Sequence, residues 1–520
     1  MLQTPPLPNV HIVVMQPPGY VHSLGLVDPA RFMRHQLRRF GVDVTMAKNR
    51  LRADAVNIVL GAHLGFPPEW RQQHACLFLN LEQLGPGGAS VAPGYLELLK
   101  TSGVIDYDPA NIGAYGADPA EVPVIPFRHA GYLEAAAADA PPLEDRPIDL
   151  LFFGSMNERR QRLISRIEAC GVQVAMFDHP LYGEERDRYV RQAKAVLNCH
   201  FYESATFEQV RAFHCLSLGT PFIAERSPLT RPDAVFEQSV SWFDDASLED
   251  FFGRFFATPA YFEQARRQQQ VWRSHDPVEA YADLMAFAAG YFGGHAQQRP
   301  EGAWRPSRIN LGSGKDYKPG WLNLDVIDRA EPDLVLDLGQ PLTFPVRATS
   351  RFGLDVELQA ASVEKVYANN VLEHVPDLPC LMGNVLALLK EGGEIEIEVP
   401  YEKAPTAWQD PTHIRAMNEN SWIYYTEWFW YLGWYEHRFE MTQSCFLDAS
   451  LQPCSADRAA FMRVTLAKVE TSGHERMTAQ ALQGTLRVPD DLPELPAPPA
   501  VDGDFGAGGV EAALELGATA

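Results

Sequence analysis

Between Arg308 and Asp325 the chain reads RINLGSGKDYKPGWLNLD, and this stretch holds the residues best suited to gripping a small ligand. A short apolar run, Ile309 and Leu311, ends in Gly312, Ser313 and Gly314; a second, Trp321, Leu322 and Leu324, ends in an acid, Asp325. Strand, glycine turn, strand, acid is the order a nucleoside-binding α/β unit needs. The glycines let backbone approach a ligand with no Cβ in the way, and a carboxylate at the tip of the next strand can accept both ribose hydroxyls. By itself the turn fits any tight strand-to-helix connection, with a dinucleotide and a nucleotide sugar equally open. His413 and Asp410, in DPTHIR, stand three apart with no third ligand in reach by sequence, so no metal site is expected.

Such a turn needs sheets and helices to hold it. A chain of 520 residues is too long for one core and predicts two or three domains. Lys+Arg 44 against Asp+Glu 67 gives a net charge of −23, which disfavours nucleic acid and an anionic membrane as partners. The 7 cysteines are scattered and without a CxxC pair, as in a reduced cytosolic chain. With no run of 18 apolar residues and no signal-like N-terminus in MLQTPPLPNV, the expected location is the cytoplasm, with no integral membrane segment and peripheral association left open.

Along the chain, His11–Met15 reads as a buried parallel strand, 29–40 as a helix stopped by Gly41, and 42–44, 55–60, 75–80 and 122–126 as further strands. This first doubly wound unit, 1–135, is followed by a linker, 134–147. A second unit, 148–292, opens with IDLLFFG, continues into a basic amphipathic helix at 159–170, and shows strands at 172–177, 195–198 and 221–224, with a helix at 207–218. A helix pair within 261–291 is placed to cross back. Two such halves in tandem, with Tyr202-Glu203, Glu208-Gln209-Val210-Arg211 and the turn LGTPFI, resemble the two-lobed GT-B glycosyltransferases, closest to the spore-coat-like branch. The resemblance covers roughly residues 9 to 290 and implies that Glu203, Glu208, Arg211, Gly219 and Thr220 hold a nucleotide sugar, a helix N-terminus facing its phosphates. The chain departs from the family pattern in lacking two acids at E-x7-E spacing. Asn80-Leu81-Glu82-Gln83 is expected to line the cleft between the lobes, Glu82 reading either as a base or as a solvated loop acid.

After a second polar linker, 293–305, the third domain, 305–470, carries RINLGSG, NLD, VLD, NNVLEHV and LLKEGGEIEIEVP in that order. These motifs resemble the class I S-adenosylmethionine-dependent methyltransferases of the type with an LEHV element. The overall expectation is an α/β protein: two Rossmann-like lobes followed by a Rossmann-like methyltransferase domain. The resemblance implies that Gly312 and Gly314 pass under the methionine part of the cofactor, Asp325 binds the ribose, Asp337 and Leu338 flank the adenine, and Asn369 and Asn370 face the sulfonium. Asn310 stands where many relatives carry an acid and would hold the cofactor's amino group by its amide oxygen.

Methyl transfer is an in-line displacement, and a hydroxyl acceptor needs a base. His413, on the rigid Asp410-Pro411 turn, is the preferred base, its alternative being a loop histidine bonded to backbone. His374 reads as a second candidate or as a packing residue at a helix start. The aromatic run 421–435 reads either as an extra core element or as a lid stacking on a sugar ring. From 473 to 520 the Pro/Gly/Ala-rich tail is expected to be disordered apart from a short helix at 510–516. The combined expectation is a bifunctional enzyme acting on a glycan or glycolipid in polysaccharide biosynthesis, with S-adenosyl-L-methionine as cofactor and a nucleotide sugar as donor. Its alternatives are a methyltransferase with a non-catalytic glycan- or partner-binding module, and a small-molecule methyltransferase.

Overall fold

The computed structural model describes residues 8–85, 88–136, 139–201, 206–298 and 302–482. Two parallel sheets and a larger mixed one follow one another along the chain. The first holds β1 (Val10–Val14), β2 (Val44–Lys48), β3 (Val56–Leu60), β4 (Cys76–Asn80) and β5 (Gly103–Asp106) in the order β2-β1-β3-β4-β5. The second holds β6 (Ile148–Leu151), β7 (Val174–Ala175), β8 (Ala193–Asn198), β9 (Phe222–Glu225) and β10 (Ser241–Phe243) in the order β10-β9-β8-β6-β7, the same winding repeated. Strands β1, β3 and β4 are buried at every position, which is what a parallel strand with helices on both faces requires. The fold is thus α/β and Rossmann-like in both lobes.

The third sheet is built from β11 (Arg308–Leu311), β12 (Leu322–Asp325), β13 (Leu334–Val335), β16 (Val363–Asn369), β17 (Leu389–Pro400), β18 (His437–Leu447), β19 (Pro453–Cys454) and β20 (Phe461–Glu470), with β14 (Val346–Thr349) and β15 (Asp355–Leu358) as a separate hairpin. Its order is β13-β12-β11-β16-β17-β20-β18-β19; β20 runs antiparallel between β17 and β18. The alternation in EIEIEV works as the sequence implies: Ile395, Ile397 and Val399 are fully buried, and the acids on the other face pair across strands, Glu396 with Lys365 (2.6 Å) and Glu398 with Arg463 (2.7 Å).

Two segments differ from expectation. Residues 122–126 form no strand, and Val124 makes a single bridge to Asp106; the edge position is filled by β5, whose short, glycine-led GVID has no apolar run to announce it. The expected disorder from 473 gives way to a helix, Gly473–Leu482, tied down by Arg438–Glu475 (2.8 Å) and buried Ala479. The expected helix at 510–516 lies outside the described residues.

The lobes share a core: Phe32 of the helix Val27–Arg38 packs on Phe213 of the helix Gln209–Ser217 at 5.0 Å between ring centroids, and Phe127 stacks on Phe213 at 4.9 Å. The helix Val278–Gln298 crosses back to the first lobe, where Tyr281 meets Phe32 and His295 bonds the Arg71 carbonyl at 2.9 Å. The third sheet then docks on that same lobe. Arg50 pairs with Glu331 (2.6 Å) and lies 4.7 Å over the Tyr317 ring, and the Ala53 amide donates to the Phe352 carbonyl (2.9 Å).

Candidate active site and interlobe cleft

In the third sheet the strand order reverses between β11 and β16, and a crevice outside the carboxyl ends of the strands is the place such sheets offer a ligand. Gly312 and Gly314 turn there with φ +61° and +47°. A Cβ on Gly312 would lie 2.3 Å from Val371 Cγ2, so both the backbone angle and the neighbour demand glycine. Asp325 clasps the turn: Oδ2 accepts the Gly314 amide and Oδ1 the Ile327 amide, each at 2.8 Å. The clasp fixes the carboxylate plane and leaves each oxygen a further lone pair. Asn370 sits exposed at the tip of β16 with φ +52°, a left-handed conformation that asparagine tolerates better than most residues. Beside it, the buried Asn369 Oδ1 has no hydrogen-bond partner.

Other expected cofactor residues have structural engagements. Asn310 donates from Nδ2 to the Asp316 carbonyl (2.7 Å) and Asn323 Oδ1 (2.9 Å), so its amide protons tie the glycine loop to β12. Exposed Asp337 receives the Gly339 amide (2.8 Å), and buried Leu338 offers its carbonyl to Asn384 (2.8 Å).

The fold brings Glu373, His374 and His413 together. The loop that carries His413 is latched onto the turn after β16 by the Ile414 amide on the Glu373 carbonyl (3.0 Å) and by Arg415 on the Val375 carbonyl (2.6 Å). The two imidazole rings lie edge to face at 4.7 Å, and His413 Nε2 is 3.9 Å from Glu373 Oε1. Burial pushes the Glu373 carboxyl up to about 7. Asp410 stands one step behind: it accepts the Thr412 amide (2.8 Å) and hydroxyl (2.7 Å), bonds that hold its own carboxyl below the usual range. It therefore positions Thr412, which in turn receives His374 Nδ1 at 3.0 Å. Glu373 is the member that reading the sequence missed as a functional group, although the LEHV motif contains it.

A cavity of about 720 Å³ opens between the two lobes, lined among others by Glu82, Gln83, Arg186, Glu208, Arg211 and His214. Glu208 is held by Arg211 (2.9 Å) and Arg160 (3.3 Å), and Arg211 also reaches Asn198 Oδ1 (3.3 Å). Glu82 has His63 at 3.5 Å. Glu203 lies outside the described residues. Gly219 and Thr220 correct the expectation: they stand at the C-terminal end of the helix Gln209–Ser217 and are absent from the cavity lining. They precede β9, hence occupy the opposite end of the sheet from the crevice. Thr220 is fully buried, donating to the Val190 carbonyl (2.8 Å) and accepting from Arg146 (2.9 Å). A buried network of Asp28, Arg186, Asp187 and His214 reaches the same cavity, and no local motif announced it.

The aromatic run divides into two roles. Trp422, Tyr425 and Phe429 are core, while Tyr424, Trp428 and Tyr431 are exposed, with Tyr424 5.3 Å from Trp428 and 5.7 Å from Tyr431. Among the described residues, no helix is long and apolar enough to cross a membrane.

No family model matches the chain. An uncharacterised protein of Acanthamoeba polyphaga mimivirus is 28% identical over 140 residues, which is 27% of this chain; the chain spans 44% of that relative's length. Among solved structures, AviGT4, a glycosyltransferase involved in avilamycin A biosynthesis, matches 55% of this chain and 98% of its own at 16% identity and a TM-score of 0.39. An S-adenosylmethionine-dependent methyltransferase from Mesorhizobium loti matches 34% of this chain and 96% of its own at 16% identity and a TM-score of 0.21.

Proposed function

We propose that the third unit binds S-adenosylmethionine and transfers its methyl group to a hydroxyl of a glycan or glycolipid, and that the two preceding lobes handle the glycan. The observation that carries this reading is the clasp of Asp325 on Gly314, with Gly312 packed under Val371, at the point where the strand order reverses. A nucleoside with a methionine tail fits a turn that exposes backbone on one side and a fixed carboxylate on the other. Glu373, His374 and His413 gather on and against the turn that follows Asn370, so the acceptor hydroxyl is to lose its proton there; Asp410 acts through Thr412. The exposed Tyr424, Trp428 and Tyr431 offer faces on which a sugar ring can stack.

The test is calorimetry with S-adenosylhomocysteine. Micromolar binding by the full chain, lost in Asp325→Ala, supports the reading; absence of binding in the wild-type protein ends it. For the lobes, a non-catalytic glycan-binding role is a second reading, favoured because Glu208 is already engaged by two arginines. A panel of nucleotide sugars separates the two: hydrolysis or transfer speaks for a glycosyltransferase, and no binding for a recognition module.

A further inference from the structure

We infer that Glu373, His374 and His413 form a binding site for one divalent transition-metal cation. One ligand-capable atom of each lies within 4.8 Å of those of the other two. The sequence offered His413 no third ligand beside Asp410; the fold supplies Glu373 and His374 in its place. Glu373 is 1% exposed, and neither of its carboxylate oxygens has a hydrogen-bond partner. A buried carboxylate left in that state is costly, and a cation between it and the imidazoles satisfies it.

The tautomers point the same way. The Thr412 hydroxyl gives its proton to Asp410, so its oxygen and the Thr412 carbonyl are both acceptors for His374 Nδ1, at 3.0 and 3.2 Å. His413 Nδ1 faces the Ala407 carbonyl at 2.9 Å, which can only accept. Both rings therefore carry their proton on Nδ1 and present Nε2 as a bare lone pair. Anchoring the far nitrogen on a carbonyl or hydroxyl is how proteins orient an imidazole toward a metal. The ligands come from two segments already latched together by Ile414 and Arg415, so the site is formed before a metal arrives.

Two imidazoles and one carboxylate suit Zn2+ or Co2+ better than Ca2+ or Mg2+, and three ligands leave positions for a substrate oxygen. The half-buried His374 gives the cation a way in. Its place, on the turn whose Val371 packs over Gly312, puts a Lewis acid beside the proposed cofactor crevice, where a hydroxyl is to lose its proton. The inference goes beyond methyl transfer and does not depend on it.

The test uses the full chain stripped with a chelator, titrated with Zn2+ by calorimetry and with Co2+ by absorption. One equivalent should bind, weakened at least about tenfold by Glu373→Gln and likewise by His374→Ala, the latter on a half-buried residue whose loss the fold tolerates. The Co2+ spectrum should show d–d bands without a thiolate charge-transfer band, since no cysteine is among the ligands. Absence of binding, binding that both variants leave unchanged, or a thiolate band would overturn the site. Titrating S-adenosylhomocysteine into the same metal-free samples reads the cofactor crevice separately, so either reading can fail alone.

Discussion

Arg186 of the second lobe reaches Asp28 of the first, Nη1 to Oδ2 at 2.7 Å, with both side chains buried. The same guanidinium gives Nε and Nη2 to Asp187 Oδ1 at 2.9 and 2.6 Å, and His214 Nε2 lies 2.7 Å from that oxygen. Removing the arginine leaves two carboxylates buried beside one imidazole. Arg186→Leu is expected to destabilise the lobe pair by roughly 3–5 kcal/mol, read from guanidinium denaturation. Arg186→Lys should recover little, because a point charge cannot serve both acids in this geometry.

Gly312→Ala should abolish S-adenosylhomocysteine binding, through the 2.3 Å approach to Val371 Cγ2 and through a φ of +61°. In the double variant with Val371→Ala the two methyl clashes go, the Val371 Cβ at 3.2 Å asks only a small shift, and the backbone part remains, about 1 kcal/mol. Binding should therefore return partially, weakened by roughly fivefold relative to Val371→Ala alone. Equal loss in the single and double variants would mean that the turn's shape, and not its neighbour, is what matters.

His11 ties β1 to its surroundings through Thr45 Oγ1 (2.7 Å) and the Arg50 carbonyl (3.1 Å), and burial lowers its pKa to about 4. The unfolded chain takes up this proton near its ordinary value and the folded chain does not, so stability falls as pH drops from about 6.5 toward 4. The full span is worth about 3 kcal/mol. Denaturation midpoints of His11→Gln should lose this part of the acid sensitivity; a wild-type slope in the variant would assign it to another group.

Trp422 and Tyr431 belong to one aromatic run but should behave differently. Trp422→Ala opens a cavity in the core and is expected to cost about 3–5 kcal/mol. Tyr431→Ala, 63% exposed, should leave the melting temperature almost unchanged while raising the KM for a glycan acceptor. An unchanged KM would remove the stacking role and leave the exposed rings without one.

The parts of the site legible in the sequence are those made by neighbours along the chain. The Gly312–Gly314 turn, Asp325 at a strand end and the LEHV turn each announce themselves within a few residues. What escaped is made by distant segments meeting. Arg186 and Asp28 are 158 positions apart, and Glu373 finds His413 only because a loop folds back over the turn after β16. Gly219 and Thr220 show another limit. Their motif was visible, but whether it lies at the crevice depends on which end of β9 it occupies, and there the topology overrules the motif. β5 went unseen because a central apolar run is a stronger signal than a four-residue edge strand led by glycine.

The helix Val278–Gln298 sets the frame in which any motion would be felt. Because it returns the chain to the first lobe before the third sheet begins, and Arg50 and Ala53 hold that sheet there, the third unit is anchored on the first lobe. The first lobe thus carries both the Glu82 and Gln83 side of the interlobe cavity and the docking face for the unit that holds the Gly312 turn.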